Sequence, residues 1–183
     1  LVVTHPLFME AASKLAQYHA NNGMRTLVHT TEQIYDRYSF GRPGPDGIRA
    51  LLEDAANWEV SPNFVLLLGG ATADSNNVLG TGANDLVPAP FRRTDLMGYE
   101  APNDGWYTQG LEMAIGRLPV TDAVQANAVV EKILDWYARG QYWKTSIYVA
   151  DRDRSTGGLD APATFEASVD NQILAATAFN NDA

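Results

Sequence analysis

Apolar residues fall along this chain in two patterns, short unbroken runs and stretches at helical spacing, and the two alternate. Leu1-Val2-Val3-Thr4 is an unbroken run that predicts a buried strand, and Pro6 prepares the first turn of a helix reaching about Asn22. Ala11, Ala12, Leu15, Ala16 and His19 recur at helical spacing there, and Asn22-Gly23 supplies the stop. A strand is predicted over residues 25–29. Thr30 and Thr31 then offer caps for a short helix holding Ile34, Tyr35 and Tyr38, which Gly41-Arg42-Pro43-Gly44-Pro45 breaks off. Asp46 is the expected N-cap of a further helix in which Ile48, Leu51, Leu52 and Ala55 share one face. Phe64-Val65-Leu66-Leu67-Leu68 is apolar throughout, as expected of a strand covered by helices on both sides of a parallel sheet.

This β-α-β-α-β order predicts an α/β fold, a three-layer sandwich around a mostly parallel sheet with right-handed crossovers. Residues 69–110 break the rhythm. They are rich in Gly, Asn, Asp, Pro and Thr, and so long a loop inside a compact domain is usually functional. A strand resumes over 113–119. Thr121 is the expected cap of a helix with Val124, Ala128, Val129, Ile133, Leu134 and Trp136 on its apolar side, ending at Gly140. Residues 146–150 read as another strand, closed by Asp151-Arg152-Asp153-Arg154, and from about Pro162 a last helix puts Phe165, Val169 and Ile173 inside. A parallel sheet is not expected to stop on an outgoing helix, and Leu1 is not a methionine. The expectation is an excerpt, C-terminally incomplete, of a longer chain.

Composition narrows the classes. With 183 residues, 45% apolar and 19% charged, the chain has material for one globular domain, or for one and a piece of a second. Its formal charge is −9 and its longest basic cluster is the pair Arg92-Arg93, so no nucleic-acid partner is expected. The longest apolar run, 64–68, is too short to span a membrane. There is no cysteine, which excludes disulfides, cysteine–zinc sites and a thiol nucleophile within these residues.

Ligands of open α/β sheets bind beyond the carboxyl ends of the strands, so the places to inspect follow Thr4, His29, Leu68, Pro119 and Ala150. Gly69-Gly70 permits a tight turn, but no phosphate-binding glycine pattern follows it. Asp151 and Asp153, flanking Arg152, are placed to orient a histidine, hold a metal or bind a basic group, or to form a solvated turn. Asn103-Asp104-Gly105-Trp106-Tyr107, with Asp85 and Asp95, is oxygen-rich enough for calcium yet lacks any fixed ligand spacing. Trp106 and Tyr107 read as loop anchors. His5, His19 and His29 lie on separate elements, and His5 and His29, at strand ends, read as structural histidines. The residues alone stop at a doubly wound α/β domain with its site at a carboxyl edge, open also to a flavodoxin-like domain with a small ligand above Leu68.

Five segments go further when read together: Leu1-Val2-Val3-Thr4-His5-Pro6-Leu7-Phe8 with Ala11-Ala12; Gln33-Ile34-Tyr35-Asp36; Phe64-Val65-Leu66-Leu67-Leu68-Gly69; Asp104-Gly105-Trp106-Tyr107; and Ile115-Gly116-Arg117-Leu118-Pro119-Val120. Their order and spacing resemble the N-terminal portion of the catalytic domain of the gingipain family of cysteine peptidases. The resemblance implies a caspase-like fold in which residues 1–142 form a non-catalytic α/β subdomain and 143–183 begin the second, catalytic subdomain. The family's His-Cys pair then lies beyond this segment, which alone is expected to be inactive. Asp153 falls where an acidic residue orients the catalytic histidine, with Asp151 the neighbouring alternative, and Glu166 is placed near the position that selects a basic substrate side chain. Also implied are a peptide or protein substrate, the remainder of the same polypeptide as partner, calcium with its ligands unassigned, and a secreted or cell-surface location. A non-catalytic scaffold or binding module of an exported or surface assembly protein is the alternative.

Overall fold

The structure is a computed structural model, which describes residues 1–75, 77–80, 82, 84–93 and 100–139. The predicted strand over 146–150, the helix after Pro162 and the residues Asp151, Asp153, Glu166 and Asp95 lie outside the described residues. The account below concerns the compact unit Leu1–Arg139.

Its frame is a four-stranded sheet in the order β2-β1-β3-β6, built from β1 (Val2–Thr4), β2 (Val28–Thr30), β3 (Phe64–Leu68) and β6 (Ala114–Leu118). Every neighbouring pair in it is parallel, with Val3 opposite His29 and Leu67, and Leu67 opposite Arg117. Helix α1 (Met9–Asn21) carries the chain from β1 to β2. Helices α2 (Thr31–Tyr38) and α3 (Pro45–Ala55) carry it back past β1 to β3. Because the strand order reverses at β1, right-handed crossovers put the two connections on opposite faces.

The core divides accordingly. Val3, Val65 and Leu67 pack with Ile34, Tyr35, Ile48, Leu51 and Leu52. Val2 and Leu68, one position out of phase, pack with Phe8, Ala11, Ala12 and Leu15, joined by Ala126 and Val130 of α4 (Ala123–Arg139). Successive strand residues point to opposite faces, so the continuous apolar runs in β1 and β3 feed both clusters and give the three layers expected.

Several boundaries differ from the sequence reading, each for a local reason. Pro6 opens a separate 3-10 turn, Pro6–Phe8, whose cap is His5, and α1 starts only at Met9. The second strand lies at Val28–Thr30 instead of 25–29, since pairing Val2 with Val28 sets the register; the Val2 amide already donates to the Leu27 carbonyl at 2.8 Å. Thr30 then closes a full capping box with Gln33. Helix α3 is entered through Gly44 with Pro45 in its first turn, so Asp46 sits inside that turn instead of capping it.

In α4 the residue in front of the helix is Asp122, whose carboxylate accepts from the Gln125 amide at 2.8 Å, while Thr121 bonds the Gln125 side chain. Its buried positions are Ala126 and Val130, whereas Val124 and Trp136, expected on the apolar side, are 80% and 54% exposed. The buried stripe therefore lies two residues out of phase with the expected one at the amino end. The 69–110 segment is also more ordered than a plain loop. It holds an antiparallel ribbon, β4 (Phe91–Arg93) with β5 (Glu100–Pro102), and a 3-10 turn, Asp104–Thr108.

Leu51 is fully buried at the centre of the α2/α3 layer. Truncating it by Leu51→Ala is expected to cost about 2–5 kcal/mol of unfolding free energy, read from urea denaturation.

Candidate functional site

At the carboxyl edge the strand order reverses between β1 and β3, the position at which open α/β sheets leave a crevice. Thr4 is fully buried there, and its hydroxyl donates to the Leu68 carbonyl at 3.0 Å, strapping the two strand ends together. His5 follows. Its Nδ1 accepts from the Leu7 amide at 3.2 Å, so the neutral ring carries its proton on Nε2. Among the described residues no hydrogen bond or ring contact joins His5 to His29.

On the β3 side Gly69 and Gly70 do what the sequence required of them. Gly69 has φ of 148°, and a Cβ there would meet Val87 Cγ2 at 2.6 Å. The Gly70 amide donates to the Val120 carbonyl at 2.7 Å, while its own carbonyl accepts from Leu86 and Val87 at 3.1 and 3.0 Å. Residues 69–70 and 86–87 thus run against each other with no room for a side chain. Further out, the half-buried Asp85 accepts from the Thr72 amide at 3.2 Å. Burial raises its carboxyl above the ordinary range, and that amide works the other way.

The organising residue of this edge is Arg117, a charge in a strand that otherwise reads apolar. Paired with Leu67 in the ladder, it shares the α2/α3 face and reaches toward the 104–108 turn. Its Nε and Nη2 grip Asp104 side-on, at 2.7 Å each. Nη1 donates to the carbonyls of Gly69 and Val87 at 2.8 and 2.6 Å, and Nη2 also to that of Pro88 at 3.0 Å. Every guanidinium N–H is thereby used. The Arg117 side chain is only 12% exposed, and this ion pair with its carbonyl shell binds both ends of the long segment to β6.

Two more groups complete the anchorage. Tyr107 is fully buried, and its hydroxyl donates to the Pro88 carbonyl at 2.7 Å; burial pushes that phenol far above its usual value. Arg49 of α3 donates through Nη1 to the carbonyls of Trp106 and Tyr107, both at 3.0 Å, and its Nε is balanced by Glu53 at 2.7 Å. Trp106 packs half-buried at the rim of the same cluster. Both aromatics are anchors, as expected. Nearby, burial pushes the Tyr35 phenol up to about 12.

These contacts bear on the oxygen-rich loop. Asp104 is spent on Arg117, and Asp85 stands apart from it on the Thr72 amide. Among the described residues no group of three or more His, Asp or Glu side chains is arranged to hold a metal ion. No described helix is long and apolar enough to cross a membrane. The sequence reading missed Arg117 and Arg49; the signal for the first was a lone cation inside Ala114-Ile115-Gly116-Arg117-Leu118, where a covered strand admits charge only if it is fully paired.

Removing either half of the Arg117–Asp104 pair is expected to destabilise. Arg117→Lys, which leaves three donors for five bonds, should cost about 2–4 kcal/mol in urea unfolding. Adding Asp104→Asn to it should cost far less than the sum of the two separate losses. A second expectation concerns acid. Burial holds the His5 and His29 imidazoles below their ordinary 6.5, opposed at His5 by Glu32 and reinforced at His29 by Arg37. Both rings therefore bind protons more readily in the unfolded chain. The stability they support is complete above pH 6.5 and is lost as pH falls from there toward the folded values. The melting temperature should decline between about pH 7 and pH 5.5, and less steeply in a His5→Asn/His29→Asn double variant.

Comparison with known proteins agrees with this architecture. A solved structure, the dimeric latent PorU of Porphyromonas gingivalis, superposes with a TM-score of 0.56 at 20% sequence identity, over 78% of this chain and 17% of that one. That likeness shows a shared fold, the mixed α/β layer with a mostly parallel sheet. A protein of Archaeoglobus fulgidus described only as uncharacterized is 27% identical over 147 residues, which are 74% of this chain and 34% of that relative. The chain thus spans about a third of the length of that relative. The model of Peptidase family C25 matches residues 1–182, nearly the whole length, and this chain belongs to peptidase family C25.

Proposed function

We propose that this chain is the supporting part of a gingipain-like cysteine endopeptidase. The observation that carries the reading is the family match over residues 1–182 in a chain that contains no cysteine. Residues 1–142 form the non-catalytic α/β subdomain, 143–183 open the catalytic one, and the reacting pair is supplied by later residues of the parent protein.

In that reading a thiolate, its proton held by the paired imidazole, attacks the carbonyl of a peptide bond. The imidazolium returns the proton to the departing amine, and water then releases the acyl group from sulfur. Asp153 orients the imidazole, with Asp151 as the neighbouring alternative, and Glu166 faces a basic substrate side chain. The work of the described residues is mechanical: Arg117, Arg49 and the Gly69-Gly70 turn hold the carboxyl edge of the described sheet rigid. The parent protein acts on peptides or proteins, is exported to the surface or the medium, requires no cofactor and has room in its family for calcium as an optional ion.

A second reading, a non-catalytic module of an exported or surface assembly protein, is favoured by how the described edge spends its polar groups. Arg117, Asp104 and Tyr107 all serve the fold. The two readings part on one substitution. In the full-length protein Asp153→Asn is expected to lower kcat for peptide hydrolysis by about a hundredfold with the circular dichroism spectrum unchanged. Unaltered hydrolysis removes Asp153 from the site, and absence of any hydrolysis in the parent protein favours the module.

A further inference from the structure

Three arginines converge on the 104–108 turn, and they differ in how they are satisfied. Arg117 and Arg49 are each paired with a carboxylate and spend further N–H groups on backbone carbonyls. Arg92, on β4, is not. Its guanidinium carbon lies 4.4 Å from the centroid of the Trp106 ring, and among the described residues its one hydrogen bond runs from Nη1 to the Phe91 carbonyl at 3.0 Å. Nε and Nη2, the fork that grips a carboxylate side-on, have no acceptor among the described residues.

The ribbon explains why this cation is left over. In the antiparallel register Arg93 has Glu100 as its cross-strand neighbour on one face, without an ion pair between them among the described residues. Arg92 stands opposite Ala101 on the other face, where the cross-strand neighbour is a methyl group that neither neutralises nor covers it. Arg92 is exposed, in a chain whose acidic residues outnumber its basic ones by 22 to 13. Its orientation is nonetheless set. The indole behind it is held by Arg49 through the Trp106 carbonyl, and a guanidinium stacked on a fixed ring has already given up much of the rotamer freedom that binding would cost.

We propose that Arg92, backed by Trp106, is a carboxylate-binding station that takes an acidic side chain of a bound peptide. This rests on the peptidase reading for the identity of the ligand as a peptide. The ribbon leaves the body just beyond Pro88 and Pro90, whose carbonyls are tied to Arg117 and to the Asn103 amide, so the station stands beside the carboxyl edge. It adds to substrate choice a preference for acid in the peptide, separate from the basic selection assigned to Glu166. The Arg92 fork accepts both oxygens of an Asp or Glu carboxylate, while the indole face shields the contact from water.

The test is direct binding to the full-length protein at low salt, by titration calorimetry with an N-acetylated, C-amidated hexaglutamate and its hexaglutamine counterpart. The glutamate peptide is expected to bind roughly tenfold more tightly, with the gap closing as salt is raised. Arg92→Gln should abolish the difference between the two peptides. Arg93→Gln, which removes the neighbouring cation that faces Glu100 in the register and does not stack on Trp106, should leave it in place. Equal binding of the two peptides to the unaltered protein overturns the proposal, as does a preference that survives Arg92→Gln or vanishes with Arg93→Gln. Because nothing need be cleaved, an intact preference in a protein that hydrolyses no peptide bond would sink the peptidase reading alone. Hydrolysis without the preference would sink this one alone.

Discussion

Arg117 spends every N–H of its guanidinium on one carboxylate and three backbone carbonyls, and the rest of the carboxyl edge is arranged around that fact. The carbonyls belong to Gly69, Val87 and Pro88, and the carboxylate to Asp104, so one side chain on β6 fixes a segment at its beginning, middle and end. Residues 69–110 carry too few periodic apolar positions to order themselves by burial. Each residue held in a single conformation costs on the order of 1–2 kcal/mol of backbone entropy. Carbonyl groups gathered under a cation recover part of that cost by a route open to a polar sequence, since bonds to a charged donor are about twice as strong as neutral ones.

The same constraint accounts for residues that otherwise look unrelated. Gly69 and Gly70 are needed because the strand end must lie against Val87 and Val120 closely enough for Arg117 to reach past them. Tyr107 must be buried because its hydroxyl takes the Pro88 carbonyl that Arg117 also holds. Arg49 repeats the device from α3, gripping two carbonyls of the 104–108 turn from the opposite side. Two of the segments that carry the family resemblance, Asp104-Gly105-Trp106-Tyr107 and Ile115-Gly116-Arg117-Leu118-Pro119-Val120, are therefore the two halves of one interaction. Their joint presence is a mechanical requirement of this edge.

What was legible beforehand follows from how local the physics is. The runs in β1 and β3 and the spacing of Ile48, Leu51, Leu52 and Ala55 state their partners through periodicity alone, and the three layers follow from their alternation. The capping box at Thr30 is equally local. The second strand was misplaced because its limits are set by pairing with Val2, a residue far away in sequence. Val124 misled because its neighbour Ala126, small enough to sit against α1, takes the inward position. At the site, the glycine turn and the two aromatic anchors could be read, whereas the spending of Asp104 on Arg117 could not. Oxygen-rich loops look alike until the cation that claims them is known.

The use of Asp104 by an arginine bears on what the edge can do. The described parts of this segment are cemented by a side chain of the sheet, so they are expected to move with the sheet. The supporting layer is then rigid by composition, and its chemistry is confined to groups the cement does not consume. Of the arginines around the 104–108 turn, the two that build it are neutralised and shielded, and the one that does not build it faces outward on an indole. Arginines that are spent in holding the layer together are closed to a substrate, and among the described residues around this turn the cation left outward, Arg92, is positive in a chain that is acidic as a whole.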